Sequence, residues 1–149
     1  MILLVVLVVL AIATALTWPR AAPNAGAPLL AGAHIDPATM AILDRSCRDC
    51  HSDSTRYPWY SYVAPSSVLV WWDVSNGRRH MNWSNWQSYP VVRQERLLSE
   101  IANQVKDRDM PVPQYTVIHR NAVLSDAEID QVFRWTQAER ARLIAEASR

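Results

Sequence analysis

The chain has 149 residues, with fifteen Lys and Arg against fourteen Asp and Glu, for a formal net charge of +1. So even a balance gives no electrostatic case for a nucleic-acid partner. Half the residues are hydrophobic; the N-terminal run takes a large share of them, and the remaining stretch of about 115 residues supports one modest core.

Glycine is scarce, with three residues, while tryptophan is frequent, with seven. Few glycines together with long segments of 3.6-residue hydrophobic periodicity argue against a β barrel or sandwich, so the expected fold class is all-α. Three regions are expected: residues 1–19 as a membrane anchor or signal segment, residues 20–34 as a linker, and residues 35–149 as the domain.

Met1 to Pro19 carries no charged side chain, and Ile2 to Leu16 is almost wholly aliphatic. As a helix, Ile2–Trp18 would reach about 25 Å at 1.5 Å per residue, a little short of the roughly 30 Å hydrocarbon core. Trp18 and Arg20 then stand where interfacial anchors are expected. The reading is an uncleaved anchor with lipid contact through residues 2–18, and its rival is a cleaved signal peptide. From Arg20 to Ala33 an Ala/Pro/Gly stretch without periodicity reads as a flexible tether.

The first helix of the domain opens at Asp36-Pro37, Asp as N-cap and Pro at the first helical position. Met40, Leu43 and Cys47 share one face, and the helix is expected to run to about Cys50 or His51. There the chain reads Cys47-Arg48-Asp49-Cys50-His51, using both of its cysteines. C-x-x-C followed at once by His is the attachment signature of a c-type haem. Two thiols three positions apart on one turn can each form a thioether to a haem vinyl group. His51 then lies beneath the iron as proximal ligand. Two other readings compete. A zinc site would need Cys47, Cys50 and two of His34, His51, His80 and His119, without the usual spacing of the second ligand pair. A dithiol redox site normally follows a strand in a βαβ pattern, which this chain lacks.

Trp59, Tyr60 and Tyr62 are expected to wall a macrocycle or to serve as ordinary aromatic core. A second helix starts at Pro65-Ser66, is weakened by Gly77, and ends on Arg78-Arg79-His80, which suit a helix C-terminus. Arg78 and Arg79 are candidates for pairing with haem propionates, since arginine matches a carboxylate with parallel hydrogen bonds. A third helix spans about Val91 to Lys106, with Leu97, Leu98, Ile101 and Val105 as its stripe. The prolines of Met110-Pro111-Val112-Pro113 break the helix there. Met110, in this stiffened loop, is the candidate sixth ligand of the iron, with His80 as the alternative. The last helix opens on a capping box, Ser125 with Glu128 three residues on, and is expected to fray past Arg140.

Beyond the motif itself, residues 35–136 closely resemble the small bacterial haem-binding domain family. The matching positions are Ile42-Leu43 through Tyr60-Ser61, Ala64-Pro65, Asp73-Val74, Gly77-Arg78, His80, Asn82, Ser84 and Trp86. Further on they are Met110-Pro111, Pro113, Tyr115, His119, Leu124-Ser125, Glu128-Ile129 and Trp135. The chain departs from the pattern at Trp83, where Phe is common, and carries Trp71-Trp72 where the family is variable. The resemblance implies one covalent haem c, a cytochrome c-like helical fold and an exported location, often behind a single N-terminal membrane helix. It implies no reaction.

The functional expectation is a membrane-tethered, periplasmic mono-haem cytochrome that exchanges electrons with membrane redox proteins or other cytochromes. A haem sensor or ligand-binding module with an open or labile distal site is the alternative. An enzyme such as a peroxidase would require His80 as distal base, and no acid/base pair beside an open iron can be picked out.

Overall fold

A computed structural model describes residues 1–149. Every regular element is helical. Seven α-helices follow in order: α1 Ile2–Leu16, α2 Pro37–Ser46, α3 Arg48–His51, α4 Ser66–His80, α5 Val91–Lys106, α6 Pro113–Ile118 and α7 Asp126–Ala147. Short 3-10 segments occur at Trp59–Tyr62, Trp83–Ser88 and Arg120–Ala122. Packing divides the chain into two compact units. One comprises Met1–Ala27 with Asp49–Ser84, the other Pro28–Arg48 with Asn85–Arg149.

The first unit is assembled on α4. The 3-10 turn Trp59–Tyr62 packs along this helix, and the C-terminal end of α1 is fastened beside it. The Thr17 hydroxyl donates to Ser67 Oγ at 2.8 Å, and Thr14 Oγ1 accepts from the Ala64 amide at 3.0 Å. Trp18 meets Tyr62 edge-on, with ring centroids 5.1 Å apart. The length of α1 corrects the expected inner-membrane anchor. Helix α1 has 15 residues, about 22 Å of rise, and no helix of the protein is long and apolar enough to cross a membrane. Nor is the start of the Ala/Pro stretch a loose tether. The Asn24 amide donates to Asp53 Oδ2 at 3.2 Å and the Gly26 amide to Ser54 Oγ at 3.0 Å.

The second unit is built on the antiparallel pairing of α5 and α7, which face each other over much of their length. Leu97, Leu98, Ile101 and Val105 of α5, and Ile129, Val132, Trp135 and Leu143 of α7, are buried. Each fully buried aliphatic side chain contributes about 1.5–3 kcal/mol. Helix α2 packs on α7 and buries Thr39, Ile42, Leu43 and Ser46. Its N-cap is the expected one: Asp36 accepts from the Ala38 and Thr39 amides, with Pro37 at the first position. The capping box of α7 also forms, Glu128 returning to the Ser125 amide at 2.8 Å.

Three helix boundaries differ from the sequence reading. Helix α2 stops at Ser46, because Cys47 leaves helical geometry (φ −128°, ψ −26°), and one further turn, α3, carries Cys50 and His51. Pro113 begins α6 rather than only ending what precedes it, which is the first-position role proline can fill. Helix α7 does not fray at Arg140. It continues to Ala147 because Leu143 is buried and Arg142 forks onto the buried Glu139 while also reaching Glu146.

Candidate haem site

The motif Cys47 to His51 runs across the sequence boundary of the two units, so each part belongs to its own surroundings. In the second unit Cys47 ends α2, its amide donating to the Leu43 carbonyl at 2.9 Å. In the first unit Asp49 organises the turn that carries Cys50 and His51. Its carboxylate accepts from both the amide and Nε of Arg56 at 3.1 Å, and its carbonyl accepts from the Thr55 hydroxyl at 2.6 Å. These bonds fold the chain after His51 back over the turn.

Cys50 lies against the backbone of α4. A Cβ on Gly77 would come within 2.5 Å of the Cys50 carbonyl oxygen and 3.1 Å of Cys50 Cβ. Glycine 77 therefore permits the approach of α3 to α4, at the expense of helix propensity. Burial pushes the Cys50 thiol up to about 12, the carboxylates of Asp73 and Asp49 add to the rise, and Arg78 opposes it. Such a sulfur is a protonated thiol at neutral pH. That runs against the dithiol redox reading, which needs a thiolate. No group of three or more His, Cys, Asp or Glu side chains is placed to hold a metal ion.

His51 is fixed from the other side. Its Nδ1 lies 3.1 Å from the carbonyl oxygen of Met81. A carbonyl only accepts, so Nδ1 carries the proton and Nε2 holds the lone pair. Burial lowers the imidazole's pKa, the Met81 and Gly77 carbonyls partly offset this, and the neighbouring His80 charge lowers it further. A neutral imidazole with an oriented lone pair is the form that ligates a metal. Beside it Trp83 lies at 6.0 Å between ring centroids and 25° between planes. Trp83 is 1% exposed and its indole Nε1 has no hydrogen-bond partner. A thiol, an oriented neutral imidazole and a buried donor lacking an acceptor are groups whose chemistry fits a haem.

The other sequence candidates fall as follows. Arg78 donates through Nε to the Ser52 carbonyl and through Nη2 to Thr55 Oγ1, both at 2.8 Å, with Asp53 3.7 Å away. Arg79 and His80 occupy the exposed end of α4, Arg79 bonding to Asn76. Trp59 is exposed, and Tyr60 packs edge-on against it. In the second unit Met110 is half-buried in a loop hung from α5, where the amides of Asp109 and Met110 both donate to the Gln104 carbonyl. His119 stacks on Tyr115 at 4.2 Å, and His34 is exposed. The Met81 carbonyl, Gly77 and Trp83 carry no motif of their own. Only the low helix propensity of Gly77 and the Trp-for-Phe departure at position 83 mark two of them in the sequence.

Comparison with curated proteins and with solved structures finds no match. A family model described as the haem-binding domain matches residues 5–138, most of the chain and all of the geometry around His51. The chain belongs to the haem-binding domain family.

Proposed function

We propose that the protein is a mono-haem c-type cytochrome that transfers single electrons. Its haem is attached through thioethers to Cys47 and Cys50, and His51 is the proximal ligand. The observation that carries this reading is the hydrogen bond that holds His51 Nδ1 on the Met81 carbonyl, directly after a C-x-x-C pair. That bond leaves Nε2 with the lone pair that a metal would take, and a carbonyl partner of this kind raises the basicity of a histidine ligand. When bound, haem supplies an iron that cycles between ferric and ferrous states. The chain contributes the attachment, the axial nitrogen and the low-polarity wall of Trp83. Met110 would be the second side chain to hold the iron in this reading, and a thioether there would favour the ferrous state and exclude small molecules.

Redox titration of the haem-loaded protein tests the reading. A reversible one-electron Nernst curve, and a ferrous form that resists carbon monoxide until Met110→Ala opens the site, are the expected results. A ferrous wild type that binds carbon monoxide at once contradicts the closed carrier. It would transfer the function to ligand binding.

A further inference from the structure

Trp83 is buried to 1% exposure, yet its indole N–H has no acceptor. Leaving such a donor unsatisfied costs about 1–3 kcal/mol, and native proteins keep these cases rare. Its surroundings are not loosely built. Asn82 Nδ2 donates to Asp53 at 2.7 Å, the Ser84 amide to Asn82 Oδ1 at 3.0 Å, and the Asp53 amide to Ser84 Oγ at 3.0 Å. The polar groups on both sides of Trp83 are thus satisfied, and the indole nitrogen stands out.

We propose that Trp83 Nε1 donates a hydrogen bond to a propionate of the bound haem and so sets how the group is seated against His51. The proposal rests on the haem reading above. Two arguments select the propionate. The four pyrrole nitrogens of a haem are bound to iron, so its carboxylates are its only strong acceptors. An imidazole that ligates iron stands upright on the macrocycle. An indole 25° from that imidazole plane therefore turns an edge rather than its face toward the macrocycle, and Nε1 is the one polar atom on the indole's rim. A bond from a neutral N–H to a carboxylate is charge-assisted and strong for its type. By drawing off carboxylate charge near the iron, it favours the ferrous state. Trp83 is then a positioning residue, acting on the haem without touching the iron.

The test uses the full chain matured with haem, as wild type and as Trp83→Phe, each first shown by denaturing mass to carry one haem. In the wild type the propionate deformation band of the resonance Raman spectrum should move on transfer to D2O. In Trp83→Phe that sensitivity should be lost and the midpoint potential should fall. Because the variant risks misfolding, the ferrous wild type gives a second readout: an NOE from the Trp83 indole proton to a propionate methylene. An assigned indole proton without this NOE, or a D2O response unchanged in Trp83→Phe, overturns the proposal while leaving haem attachment intact. A wild type that carries no haem overturns the functional reading and this proposal together.

Discussion

The backbone carbonyl of Met81 accepts a hydrogen bond from Nδ1 of His51 at 3.1 Å, which ties the residue after α4 to the end of the attachment motif. Because the acceptor is a main-chain oxygen, the side chain at position 81 is free to vary as long as it fills its buried site. Met81→Leu, a swap that nearly conserves volume, is expected to cost less than about 1.5 kcal/mol and to leave the haem absorption spectrum unchanged. Urea denaturation and visible spectroscopy check both. A spectrum that changes its axial-ligand signature would mean that the Met81 sulfur itself reaches the iron.

Gly77 trades helix stability for proximity. On propensity alone Gly77→Ala would stabilise α4 by about 1 kcal/mol. Its new methyl would meet the Cys50 carbonyl oxygen at 2.5 Å and the carbonyl carbon at 3.0 Å, backbone atoms that yield only if α3 moves. Overpacking of this kind costs about 1–3 kcal/mol, so the variant is expected to be net destabilised and to load less haem. Thermal melting and haem per protein measure the two effects. A more stable variant with full loading would show that the close approach is dispensable.

Glu128 makes stability depend on acid. The Ser125 amide and the Arg45 guanidinium, both bonding its carboxylate at 2.8 Å, hold its pKa below the usual 4.5. The depressed folded value means that this contribution is complete above the unfolded pKa and is lost as pH falls through the folded one. Glu128→Ala is expected to cost about 1 kcal/mol at pH 7 through loss of the box. Glu128→Gln retains box geometry but should flatten the decline in stability below about pH 4.5. Denaturation midpoints from pH 7 to pH 3 separate them, and equal slopes for wild type and Glu128→Gln would contradict the assignment.

The far end of α7 depends on one buried carboxylate. Glu139 is 1% exposed, and Arg142 reaches both of its oxygens, through Nε at 2.8 Å and Nη2 at 2.5 Å. Removing one partner of a buried pair leaves a charge uncompensated, at about 3–5 kcal/mol. Arg142 keeps partial contact with water, so Arg142→Ala should fall near the lower end, about 3 kcal/mol. A cost near that of an exposed pair, below about 1 kcal/mol, measured by chemical denaturation, would contradict this account of the helix end.

These sites show where the sequence was legible. Caps written in two or three adjacent residues, Asp36-Pro37 and Ser125 with Glu128, gave helix starts that the structure reproduces. The stripe Leu97, Leu98, Ile101 and Val105 likewise placed α5. What escaped depends on partners distant in sequence. Thr14 and Thr17 reach residues fifty positions on, so an aliphatic run reads as a membrane anchor when only its composition is seen. Gly77 looks like a helix flaw until Cys50 lies against it. The orienting partner of His51 is a backbone carbonyl thirty residues away, and a backbone atom leaves no residue-type signature. Arg140, where fraying was expected, instead lies within a continuing helix and bonds Glu95 at 2.9 Å.

The central claim, covalent haem at Cys47 and Cys50, is tested most directly by intact mass under denaturing conditions. The full chain would be expressed in a host that matures c-type haem and loads a control cytochrome. The account predicts a mass gain of one haem that survives denaturation and disappears in the double variant Cys47→Ala, Cys50→Ala. A denatured chain without added mass, from cells that load the control, would contradict it.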